Sequence, residues 1–282
     1  MNLSQCSPKT GNDNIKKKIE SSETLCAGKI GNSEYNFIMS AMSGNVPRGV
    51  ADLLNINAGV YPLDEKIFSQ FYEIYLNSIS KLNVVAEWIP NNQGGFAESY
   101  VLDQYCPNST RVPLRSLEPF YHEDPWSSSL EDKKVLVVSP FQDSIEKQYK
   151  KRNKLWEDKT ILPKFDILTM RVPFSAGISD PEYPTWVDAL SVFKEQIDHV
   201  KPDFVMVGAG AWSIPLVAHC FDLGIDSIHT GGGTQIIFGI KGGRWDNHDV
   251  ISGFFNESWV RPMKKEIPNR LDNMVIDKGH YW

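Results

Sequence analysis

From Lys134 onward the chain shows one pattern four times: a short apolar run, a turn, then a segment with helical spacing. Val135-Leu-Val-Val138 closes on Ser139-Pro-Phe141 and precedes a helix expected from Ile145 to about Trp156. Phe165 to Val172 leads to a helix from Trp186 to Val200 with Thr185 as its cap. Asp203 to Val207 runs into Gly208-Ala-Gly-Ala-Trp212 and a helix from Ser213 to Leu223 that Gly224 stops, and Asp226 to Thr230 is the fourth run. Runs apolar on both faces predict strands covered by helices on two sides, which is a parallel sheet of the α/β class with right-handed crossovers. Ligands of such sheets sit beyond the carboxyl ends of the strands. The loops Ser139–Phe141, Gly208–Trp212 and Gly231–Gln235 are therefore expected to converge.

The first half is less regular. Residues 1–14 are polar and without apolar periodicity, and are expected to form a flexible arm, with one domain over 15–282. A short charged helix is expected from Ile15 to Glu23. Leu25 to Ile30 reads as a strand, Gly31-Asn-Ser33 as a turn and helix cap, and Glu34 to Met42 as a helix. Apolar residues recur at helical spacing from Phe68 to Leu82, Val84 to Ile89 reads as a strand, and the proline-punctuated Arg111 to Trp126 as a connecting segment.

The segment from Ile228 to Trp245 carries the strongest chemical signal. Gly231, Gly232 and Gly233 bare the main chain, Thr234 to Ile240 reads as a short helix, and Lys241 and Arg244 follow. Backbone amides position an anion, and charge-assisted bonds from Lys or Arg hold it. Glycine-rich strand-to-helix turns also occur as pure architecture, so the segment alone leaves both readings open.

Other classes lack their residues. With a net charge of −6 no general attraction to nucleic acid or anionic lipid is expected. Four cysteines and six histidines show no paired metal-ligand spacing, and reduced thiols in a cytoplasmic protein are expected. The uncharged stretch from Phe204 to Phe221 is broken by Gly208, Gly210, Ser213, Pro215 and His219, so no transmembrane segment is expected there. No P-loop and no G-x-S-x-G elbow occurs. Gly208-x-Gly210 matches a dinucleotide fingerprint only in part: Ser213 stands where its third glycine would be, and His229-Thr230 where a ribose-binding acid would be. A diphosphate with a departing sugar fits the inventory better, because that reaction needs charge on the leaving phosphates and an acceptor hydroxyl in line.

Taken together, Ala27-Gly-Lys-Ile-Gly-Asn-Ser-Glu34, Leu117-Glu-Pro-Phe-Tyr-His122, Lys134-Val-Leu-Val-Val-Ser-Pro-Phe141 and Gly231 through Trp245 resemble the GT-D type glycosyltransferases of surface-polysaccharide synthesis. The resemblance spans about residues 24 to 282, and Asn256-Glu-Ser-Trp-Val-Arg-Pro262 and Tyr281-Trp282 support it. It implies a single-domain, Rossmann-like core binding a nucleoside-diphosphate sugar, with a UDP-sugar first among the donors. It also implies an Asp-x-Glu motif that helps hold Mg²⁺ or Mn²⁺. That motif falls on Asn32-Ser33-Glu34, where an amide replaces the first carboxylate. Glu34 is left as the metal ligand, and a hard cation loses one charged donor.

The leading expectation is a hexosyl- or deoxyhexosyltransferase with a saccharide acceptor. Glu34, Glu118 and Arg244 are its catalytic candidates, with Glu118 as acceptor base and Arg244 on the leaving group. Gly31, Ser139, Phe141, Gly208, Gly210, Gly231, Gly232, Gly233, Gln235, Lys241 and Trp245 would hold the donor. A non-catalytic nucleotide-sugar-binding module and an NAD-dependent oxidoreductase are the alternatives. Self-association into a homo-oligomer is left open.

Overall fold

A computed structural model describes residues 6–89, 95–176, 181–267 and 281–282. Seven strands form one sheet: β1 Cys26–Lys29, β2 Val84–Glu87, β3 Thr110–Pro113, β4 Lys134–Ser139, β5 Asp166–Arg171, β6 Phe204–Val207 and β7 Asp226–His229. Their order is β3-β2-β1-β7-β6-β4-β5, and every pairing is parallel. The helices are α1 Pro8–Ile19, α2 Asn32–Met42, α3 Arg48–Leu53, α4 Glu65–Ile79, α5 Gly95–Tyr105, α6 Gln142–Tyr149, α7 Trp186–Val200, α8 Ser213–Asp222 and α9 Gly233–Ile237. The fold is the expected α/β class, a Rossmann-like parallel sheet flanked by helices.

Strand alternation explains the apolar runs. Leu136 and Val138 of β4 and Val205 and Val207 of β6 enter one core with α2, α4, α7 and α8. Val135, Val137, Phe204 and Met206, their neighbours in sequence, enter a second core on the other face with α1, α6 and α9. A strand buried on both faces has no polar face to alternate with. Among the described residues no helix is long and apolar enough to cross a membrane, and the uncharged run at 204–221 is β6, a turn and α8.

Two expectations are corrected. The polar stretch before Ile15 is not a loose arm from residue 8 onward, because α1 starts at Pro8, with the Ser7 hydroxyl accepting from the Thr10 N–H at 3.1 Å. Gly11 and Asn12 dock it. A Cβ on Gly11 would lie 2.2 Å from the Ser116 hydroxyl, and Asn12 donates to the Asp124 carbonyl at 2.8 Å and accepts from the Trp126 N–H at 2.9 Å. The segment read as connecting, Arg111 to Trp126, begins inside β3, an edge strand that tolerates Pro113 at its end.

Candidate functional site

At the carboxyl edge, consecutive neighbours β1, β7, β6 and β4 send their chains to alternate faces of the sheet. After β1 and β6 the chain goes to α2 and α8, which pack in the first core; after β7 and β4 it goes to α9 and α6, in the second. Loops leaving in opposite directions part, and a crevice opens between them. A cavity of about 400 Å³ lies there, lined by Lys29 and residues 31–34 at the end of β1, 139–141 at the end of β4, 208–210 and 212 after β6, and 229–235 at the end of β7. Glu118, Phe174, Arg244, Trp245 and Tyr281 are among the other residues of its walls. The expected loops do converge, and Gly31, Glu34, Glu118, Ser139, Phe141, Gly208, Gly210, Gly231, Gly232, Gly233, Gln235, Arg244 and Trp245 all line this one cavity.

Lys241 does not. Ile240 bridges to Val260, and the Lys241 N–H donates to the Val260 carbonyl at 2.7 Å. Its ammonium rests 5.1 Å above the Phe255 ring instead.

The bare main chain is also more occupied than its composition suggests. The Gly231 N–H points at His229 Nδ1 (3.3 Å), the Gly233 N–H donates to the Thr230 carbonyl (3.0 Å) and the Thr234 N–H to the Gly231 carbonyl (3.2 Å). Only the Gly232 N–H of the triple glycine lacks a partner among the described residues. Ser139 is spent in its own turn, accepting from the Phe141 N–H at 3.2 Å. The glycines serve close approach. A Cβ on Gly208 would meet the Gly231 carbonyl oxygen at 2.8 Å, and one on Gly232 would meet the Trp245 ring at 2.9 Å. Gly231, with φ of +57°, needs glycine for its backbone alone.

Side chains therefore carry most of the field. Lys29, the last residue of β1, enters the cavity with its stem against Gly231 and its ammonium 4.6 Å from the centre of the Trp88 ring. Trp88 is fixed from two sides: its indole donates to the Ile30 carbonyl at 2.8 Å, and the buried Glu98 carboxylate accepts from the N–H groups of Trp88 and Ile89. Burial pushes the Lys29 ammonium below its ordinary range, and nearby Glu34 opposes that push. Glu118 lies against Gly233, and burial drives its carboxyl up to about 7 although Lys29, Arg115 and Arg244 pull it down. His229 is pushed down to about 3 by burial and by Lys29, so its ring is neutral at ordinary pH. Arg244 stands at the mouth, donating to the Tyr281 hydroxyl at 3.1 Å with its guanidinium 5.2 Å from the Trp245 ring.

Glu34 faces its own helix. Its carboxylate folds back over Gly31, where a Cβ would come within 2.2 Å of Oε2, and it accepts from its own N–H at the start of α2. Burial raises its pKa. As placed, these residues do not fit a divalent cation. Asn32 offers a neutral amide, Glu34 is turned into its helix, an ammonium stands close by, and no group of three His, Cys, Asp or Glu among the described residues could hold a metal.

Sequence reasoning missed Lys29, Trp88 and Asn57, all in the cavity wall. A cation closing a buried strand just ahead of the Gly31 turn was a readable signal for Lys29. Asn57 sits in a π-helical turn, Leu54–Ala58, and donates to the Ser33 hydroxyl at 3.2 Å. Nothing in the sequence foretold it.

Comparisons with family models, with curated proteins and with solved structures return no match to this chain.

Proposed function

We propose that the chain is a glycosyltransferase that takes a sugar from a nucleoside-diphosphate sugar and passes it to a saccharide acceptor. The observation that carries this reading is the pairing, in one crevice of donor size, of cations with a half-buried carboxyl held near neutrality: Lys29 and Arg244 beside Glu118. The resemblance described above points the same way. Glu118 accepts the proton of an acceptor hydroxyl, whose oxygen bonds to the anomeric carbon as the bond from that carbon to the diphosphate oxygen breaks. A base whose pKa lies near working pH combines a populated basic form with useful proton affinity. Arg244 meets the charge that develops on the departing diphosphate. Trp245 offers an aromatic wall against which a base or sugar can stack.

Glu34 favours a second reading. A carboxylate turned into its own helix, beside an amide where the related pattern has a carboxylate, also suits a module that binds nucleotide sugars without transferring them. Release of nucleoside diphosphate from UDP- and GDP-sugars separates the two. Under the transferase reading the wild type releases it, and Arg244→Ala lowers the rate by about tenfold or more with its melting point unchanged. Tight donor binding with no release under any ionic condition supports the module instead.

A further inference from the structure

We propose that Lys29 is the crevice's resident cation: its ammonium takes the diphosphate charge that a divalent ion would otherwise carry, so the donor binds without metal. This rests on the glycosyltransferase reading and deepens it. Four features place the role on Lys29. It ends β1, the central strand whose outgoing loop forms one wall of the crevice. Its side chain has the parity of Ala27, which belongs to the second core, so it leans toward the β7 loop, where a Cβ on Gly231 would lie 3.3 Å from its Cε. Its ammonium is held over the Trp88 ring, a contact that positions a cation without neutralising it. None of the ion pairs among the described residues involves it, although Glu34, Glu98 and Glu118 lie near enough to act on its charge.

An ammonium so enclosed and unpaired is costly unless an anion joins it. The crevice supplies none in contact, and its carboxylates repel a diphosphate unless positive charge intervenes. Lys241 lies outside, and the triple glycine keeps a single unpartnered N–H among the described residues. Arg244 stands at the mouth. The deep positive charge is therefore Lys29. An ammonium is a compact point charge with three donors, suited to non-bridging phosphate oxygens.

Calorimetric titration of the whole protein with UDP, GDP and inorganic pyrophosphate, in EDTA and again in Mn²⁺, tests this. At least one of the three is expected to bind in EDTA within about threefold of its affinity in Mn²⁺, to bind Lys29→Met about tenfold or more weakly, and to bind Lys29→Arg within about threefold of wild type. Melting curves verify that the variants fold, and should Lys29→Met not fold, the wild-type comparison and Lys29→Arg decide. Binding only with Mn²⁺, or unchanged affinity of Lys29→Met in EDTA, overturns the role of Lys29 and leaves the diphosphate site standing. Binding of none of the three in either buffer overturns both together.

Discussion

Under the proposed transferase reading, Glu118 couples turnover and stability to pH. Burial lifts it from 4.5 to about 7, against the pull of two cations in the cavity, Lys29 and Arg244. The proposed base must be ionised to act, so that proposal expects turnover to rise with pH through about 7, and Glu118→Gln to remove that limb and cost on the order of 100-fold in kcat. Stability moves the other way. A folded-state pKa above the unfolded value means the unfolded chain releases its proton first, so this group costs stability as pH climbs from about 4.5 through 7. Glu118→Gln is then expected to melt above the wild type at pH 8, by about 2 °C or more, and level with it at pH 4.5. Calorimetric scans at the two pH values check the sign. An unchanged pH profile in Glu118→Gln would remove the base from the account.

At the scale of elements, α1 offers the sharpest test of packing. It can lie on the Leu114–Leu117 turn only because Gly11 has no side chain, with the Ser116 hydroxyl 2.2 Å from where a Cβ would stand. Gly11→Ala is expected to lose about 1 to 3 kcal/mol by overpacking, despite the better helix propensity of alanine, and melting curves measure it. A stabilised Gly11→Ala would mean that α1 does not dock. The same glycine shows why this helix was hard to read. Gly11 and Asn12 look like linker residues, yet one makes room and the other bonds to Asp124 and Trp126. β4 and β6 were legible because burial on both faces leaves an uninterrupted apolar run. β3 was not, because an edge strand carrying Arg111 and Pro113 need not be apolar. Thr185 was legible as the cap of α7, and its hydroxyl does accept from the Asp188 N–H at 3.1 Å.

For the whole molecule, the order of the strands makes the crevice: four neighbours whose chains leave to alternate faces cannot close over their own carboxyl ends. Motif spacing located the loops, since each follows a recognisable strand, but it could not say which groups in them remain available. Three of the amides around the triple glycine are used within the turn, and the Lys241 ammonium rests over the Phe255 ring. Lys29 escaped notice for the opposite reason, because a lysine at the end of a strand usually lies in solvent, and only the packing of β7 and Trp88 around it makes it part of a cavity. In the proposed reading this crevice holds the diphosphate of a sugar donor. A thermal-shift screen of UDP-, GDP- and dTDP-sugars, with NADH as the competing ligand, is the test, since a ligand that binds the native state raises its melting point. At least one nucleoside-diphosphate sugar is expected to raise the melting point of the wild type and to raise that of Arg244→Ala less. A shift with NADH and with no sugar nucleotide would contradict it.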